Sequence, residues 1–171
     1  TMALARGSGL RVFATGGIGG VHRDAAETFD ESQDLTALAR YPVAVVSAGA
    51  KAILDLHKTV ERLETLGVPI VGYQTGELPA FYTRTSGIKL ALTVNDVPTL
   101  ARVVHAHWRI HPNVGLLVAN PIPEEHALRV EARESLWETL VYRLGQRGAN
   151  MGCDRAQCGV CNVIVDGRSV N

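Results

Sequence analysis

Apolar runs and amphipathic stretches alternate along most of this chain. Residues 10–14 form a short apolar run that ends in Thr15-Gly16-Gly17-Ile18-Gly19-Gly20, the pattern of a strand feeding a glycine-rich turn. Residues 24–33 are polar and acidic without periodicity and read as a loop, after which Asp34 caps a short helix ending at Arg40. Residues 42–47 are continuously apolar and β-branched, as in a parallel strand buried on both faces. Over residues 51–66, Ile53, Leu56, Val60, Leu63 and Leu66 recur at helical spacing, with Gly67 as the stop and Pro69 just beyond. Residues 68–73 give a third strand. Residues 74–92, interrupted by Gly76, Pro79 and Gly87, predict a long loop, and a loop of that length inside a compact domain is usually a working one. Asp96 opens a helix bearing Val97, Leu100, Ala101, Val104 and Trp108, and residues 114–119 form a fourth strand closed by Asn120-Pro121-Ile122-Pro123.

This order of elements predicts an α/β fold, a layered sheet with flanking helices, whose ligand sites belong in the turns that follow the strands. The pattern changes near residues 130–135. Residues 124–145 predict one or two helices, a cysteine-bearing loop follows, and Asp166-Gly167 after an apolar run signals a hairpin.

Composition narrows the function classes. The chain has 171 residues, 46% hydrophobic and 20% charged, with equal numbers of acidic and basic side chains. Without a basic stripe, and with 5% aromatics, it does not read as a nucleic-acid binder. No apolar run reaches the roughly 18 residues of a membrane span, and the N-terminus lacks a signal-peptide pattern. The expected compartment is the cytoplasm, where clustered thiols bind metal more often than they form disulfides.

Several residues carry candidate chemistry. The stretch from Gly16 to Gly20 either cradles an anion with backbone N–H groups or is a tight turn; Thr15, His22 and Arg23 beside it lean towards an anion. Lys51 is one of only three lysines. Placed at a helix N-terminus after a buried strand, it would be a low-pKa amine suited to carbonyl attack, or else a solvated surface lysine. Asp30, Glu31 and Asp34 could hold a divalent cation through oxygen ligands or form a solvated acidic loop. The turn at residues 120–125 could line a pocket or simply lead into a helix cap. His57, His105, His107, His111 and His126 show no zinc-ligand spacing and read as structural or exposed.

The motifs FATGGIGGVHR (13–23), TFD (28–30), PVAVVSAGAKAILD (42–55), ETLGVPIVGYQTGELPAFYTRTSG (64–87) and VANPIPEEHAL (118–128) resemble pseudouridine-5′-phosphate glycosidase. That family reversibly cleaves the carbon–carbon glycosidic bond of pseudouridine 5′-phosphate to uracil and ribose 5-phosphate. The resemblance implies Lys51 as the imine-forming nucleophile and Asp30 as a manganese ligand. It implies substrate contacts from Thr15, His22, Ser32, Gln33 and Asp34, and a homotrimer. The family's N-terminal glutamate general acid and second lysine, and a C-terminal asparagine, have no counterpart here. A weakly active or inactive chain is therefore expected.

Residues 135–171 resemble part of the two-iron two-sulfur domain in the small subunit of molybdenum hydroxylases. Cys153, Cys158 and Cys161 follow the C-x4-C-x2-C spacing of plant-type ferredoxins, one ligand short of a closed site. Together the two resemblances imply a composite chain: an incomplete glycosidase domain at 1–130 and a truncated ferredoxin-like segment at 131–171, joined near 129–134.

Overall fold

A computed structural model describes residues 1–127 and two further strands, Val163–Val165 and Arg168–Val170. The chain divides into two compact units, Thr1–Ala132 and Arg133–Asn171.

The first unit is built on a five-stranded sheet. Its strands are β1 (Val12–Ala14), β2 (Ala44–Ser47), β3 (Ile70–Tyr73), β4 (Leu92–Val94) and β5 (Leu116–Ala119). The spatial order is β1-β2-β5-β3-β4, and every pairing is parallel. The continuous apolar runs at β2 and β5 are thus the signature of central parallel strands buried on both faces. In β5 all four residues are buried.

Alternation along the central strands sorts side chains to the two faces. Val43, Val45 and Leu117 join Leu35, Leu38 and Leu63, which come from α3 (Gln33–Arg40) and α4 (Leu56–Thr65), and Met2 and Ala5 of α1 (Met2–Gly7). Ala44, Leu116 and Val118 turn the other way, with Val71 and Val94, onto Val104, Leu100 and Trp108 of α5 (Val97–Ile110). Helices α3 and α4 therefore lie on one face of the sheet and α5 on the other.

Helix α5 covers only part of its face. A helix is about 10 Å wide and strands lie about 4.8 Å apart, so one helix spans about two strands of five. The remainder is an open groove of about 740 Å³, floored by Val12, Ala44, Val46 and Val118 and flanked by Leu100 and Trp108.

Several elements differ from their sequence expectations. The segment at 24–33, expected as a loop, contains a one-turn helix, α2 (Ala25–Thr28). Helix α3 is capped by Ser32, whose side chain accepts from the Asp34 N–H, and not by Asp34. Helix α4 begins at Leu56, five residues later than the apolar spacing implies, because Asp55 caps it and accepts from the Lys58 N–H. Strand β4 lies at the end of the stretch expected to be a loop, so the strand at 116–119 is the fifth and not the fourth. Asp96 caps α5 as expected, accepting from the Thr99 N–H.

Of the expected helix at 124–145, a 3-10 turn at Glu124–His126 is described and the rest lies outside the described residues. In the second unit, β6 (Val163–Val165) and β7 (Arg168–Val170) pair antiparallel with Val165 opposite Arg168, while the Asp166-Gly167 turn expected between them lies outside the described residues.

Candidate active site

The sequence-selected residues of the first unit gather beyond the carboxyl ends of β1 and β2, where open α/β sheets bind ligands. Three loops meet there. The first, leaving β1, runs through the glycine-rich stretch to His22. The second, leaving β2, is Ala48-Gly49-Ala50-Lys51 and continues to Asp55. The third, between α2 and α3, carries Asp30, Glu31 and Ser32.

The glycine-rich stretch lies between the other two as an extra strand-like strip. On one side the Ile18 N–H donates to the Gly49 carbonyl at 3.0 Å, the Lys51 N–H to the Ile18 carbonyl at 3.1 Å, and the Asp55 N–H to the Val21 carbonyl at 2.9 Å. On the other side the His22 N–H donates to the Asp30 carbonyl and the Ser32 N–H to the Gly20 carbonyl, each at 3.0 Å. The Gly19 N–H donates to the Asp34 carboxylate at 2.8 Å, and the Val21 N–H to the Thr59 hydroxyl at 2.9 Å. The N–H groups of Ile18, Gly19, Val21 and His22 are thus committed inside the protein. An anion cradle built from these four is not what the stretch forms.

Close packing explains its glycines instead. A Cβ on Gly19 would sit 2.1 Å from the Ser32 Oγ, and one on Gly20 would sit 2.4 Å from the Thr59 Oγ1. One on Gly17 would meet the Phe81 ring at 2.4 Å.

Lys51 sits half-buried in the loop, four residues before the Asp55 cap of α4. This corrects the expected placement. The helix starts at Leu56, so Lys51 belongs to the loop that leaves β2 and not to the first turn of α4.

The acidic cluster separates into three environments. Glu31 pairs with Arg62 at 2.7 Å, Asp34 is engaged by Gly19, and Asp30 is half-buried within the α2–α3 connection. Among the described residues, no three His, Cys, Asp or Glu side chains form a metal-holding group. A hard divalent cation accepts carboxylate oxygen, and Asp30 would be the residue of this loop to offer it.

His22 is buried, at 8% exposure, and Thr15 extends the β1 ladder by donating its N–H to the Val46 carbonyl. Gln33 is exposed on the first turn of α3. Cys153, Cys158 and Cys161 lie outside the described residues.

Three further residues shape these loops. Buried Thr59 reads as one polar position on an amphipathic helix. Phe81 stacks edge-on against Tyr82 and lies over Gly16 and Gly17 with a left-handed backbone, φ 63°. Arg84 donates to the Ile122 carbonyl, tying the long loop to the turn after β5. The last two lay within the motif at 64–87 and in a loop of unusual length, with nothing to single them out by role. Its inner side is packed, with Leu78 and Ile88 buried beside Ala119.

Comparison with known proteins places this arrangement. The family model of indigoidine synthase A like protein matches residues 1–154, a span that crosses 129–134 and stops before Cys158. A pseudouridine-5′-phosphate glycosidase of Caldanaerobacter subterraneus is 53% identical over 148 residues, 86% of this chain and 48% of that one. One from Myxococcus xanthus is 56% identical over 128 residues, 75% of this chain and 42% of that one. The chain thus spans about half the length of the curated relatives it matches. Among solved structures, the prealnumycin C-glycosynthase AlnA in complex with ribulose 5-phosphate superposes with a TM-score of 0.76 at 40% identity, over 85% of this chain and 47% of that one. An indigoidine synthase A-like protein from Thermotoga maritima gives 0.70 at 34%, over 86% and 55%. A match across residues 1–154, with the same fold at 34–40% identity, means that this chain belongs to the indigoidine synthase A like protein family.

Proposed function

We propose that this chain carries the lysine-bearing part of a pseudouridine-5′-phosphate glycosidase site. The observation that carries the reading is the 53–56% identity to relatives of that name, combined with the meeting of the Lys51 and Asp30 loops on one glycine-rich strip. The solved relative holding ribulose 5-phosphate supports a sugar phosphate as the ligand class.

The chemistry asks for a carbonyl-seeking amine. A carbon–carbon glycosidic bond has no heteroatom leaving group to protonate, so an electron sink is needed at the first carbon of the sugar. In the synthetic direction, Lys51 Nζ adds to the aldehyde carbon of open-chain ribose 5-phosphate. Loss of water then leaves an imine, whose carbon accepts an electron pair from C5 of uracil; the C5 proton is lost, the uracil ring's electrons expel the lysine amine, and the sugar's 4-hydroxyl adds at the same carbon to close the ring and free Lys51. Asp30 is the residue to hold manganese, which when bound supplies positive charge against the substrate's oxygens. Thr15, buried His22, Ser32, Gln33 and Asp34 border the same place, Asp34 through its hold on the Gly19 backbone. A homotrimer and a cytoplasmic setting belong to this reading; among the described residues no helix is long and apolar enough to cross a membrane.

Incubation with pseudouridine 5′-phosphate and manganese, with uracil read by chromatography, tests it. Any uracil release, measured with the Caldanaerobacter enzyme alongside as a control, should be abolished by Lys51→Ala. Release that survives Lys51→Ala contradicts the role given to the lysine.

A second reading concerns the tail. The spacing of Cys153, Cys158 and Cys161 matches three ligands of a plant-type two-iron two-sulfur site. Anaerobic reconstitution should give the visible bands of such a cluster, and a colourless product would end this reading.

A further inference from the structure

Thr59 is one of few polar side chains in the core, at 1% exposure, and the reaction as proposed does not use it. Its hydroxyl has one hydrogen and two lone pairs. The hydrogen is donated to the Asp55 carbonyl at 2.7 Å, while the oxygen accepts the Val21 N–H at 2.9 Å. Val21 is itself buried, and its carbonyl accepts the Asp55 N–H. Thr59 and Asp55 therefore grip both polar groups of one residue of the glycine-rich strip.

That grip sets a register. Val21 bridges Asp55 on one side and Glu31 on the other, directly beside Asp30. Three residues earlier, Ile18 bridges Ala50 and accepts the Lys51 N–H. Gly20 allows the strip to lie against Thr59, because any Cβ there would collide with both Oγ1 and Cγ2. Sliding the strip would break the Thr59 bond and shift the Lys51 loop relative to the Asp30 loop.

We infer that Thr59 is a positioning residue: its hydroxyl locks the glycine-rich strip in the register that holds the Lys51 loop against the Asp30 loop. The inference rests on the role proposed above for Lys51, but its structural half can be read without catalysis.

Thr59→Val keeps the shape and removes the hydroxyl, and Thr59→Ser keeps the hydroxyl and removes a methyl. In the valine variant, amide hydrogen exchange at Val21 and Lys51 should speed up about tenfold or more. Uracil release should lose kcat by about tenfold or more with KM little changed, since a displacement of about 1 Å costs a rate more than it costs binding. Thr59→Ser should restore both. Thr59→Ala, which removes the same hydroxyl and leaves room for water, serves if the valine variant does not fold.

Unchanged exchange at Lys51 in the variants lacking the hydroxyl overturns the inference. So does an equal loss in the serine variant, because the position would then be one of packing alone. A parent chain whose uracil release survives Lys51→Ala sinks the functional reading instead, and exchange at Lys51 still decides for or against Thr59.

Discussion

Gly49 illustrates how tightly single residues are specified around Lys51. Its φ is +86°, a left-handed conformation that costs a side chain, and a Cβ would lie 1.9 Å from the Pro79 carbonyl oxygen. Gly49→Ala should destabilise the chain by roughly 2–6 kcal/mol, combining about 1–3 for the backbone with about 1–3 for overpacking. Urea unfolding measures it, and a loss below about 1 kcal/mol would show that the Pro79 segment yields easily. At this scale the sequence was legible in part. The glycines and Lys51 announced themselves by type. The partners that make those glycines obligatory, Ser32, Thr59 and Phe81, did not, because a close approach between residues distant in sequence leaves no local pattern. The acidic trio Asp30, Glu31 and Asp34 looked like one feature, and tertiary partners turned it into three.

Among the elements, α4 shows why a boundary is harder to read than a helix. Ile53 extends the apolar stripe backwards in sequence, yet Asp55 stops the helix at Leu56 by taking the Lys58 N–H at 3.0 Å, and it pairs with the Lys58 ammonium at 3.0 Å. Burial acts to raise the Asp55 carboxyl pKa, but the bonds from Lys58, with its charge and that of His57, outweigh it and hold the pKa below the ordinary value. A carboxylate depressed in the folded state stabilises at any pH above its unfolded pKa, near 3.8, and that contribution is lost as pH falls through the folded value. Asp55→Ala should therefore cost about 1 kcal/mol at neutral pH. Its deficit against the parent in urea midpoint should shrink only below about pH 4. A deficit that stays constant down to pH 2 would assign the effect to something other than the charged cap. The long helices and the buried strands were plain from periodicity. Strand β4 was not, since it is three residues long at the sheet edge with Leu92 exposed. Helices α1 and α2 are too short to show a period.

For the whole molecule, the class of fold followed from one physical fact: only a parallel sheet covered on both faces asks for unbroken apolar strands like β2 and β5. Strand order was not legible. Nothing local told β5 to insert between β2 and β3, or assigned α5, among the described helices, to the second face. The same topology brings the Lys51 turn and the glycine-rich turn together, since β1 and β2 are neighbours and their loops leave the same end. The account rests on Lys51 as the amine that bonds to the sugar. The chain has three lysines, Lys51, Lys58 and Lys89, and Lys58 and Lys89 are exposed, so the site of reaction can be read unambiguously. Ribose 5-phosphate and cyanoborohydride should convert the imine to a stable secondary amine, detected by peptide mapping. The predicted result is one pentose phosphate per chain on Lys51, with Lys58 and Lys89 unmodified. Modification spread over the two exposed lysines, with Lys51 untouched, would contradict it.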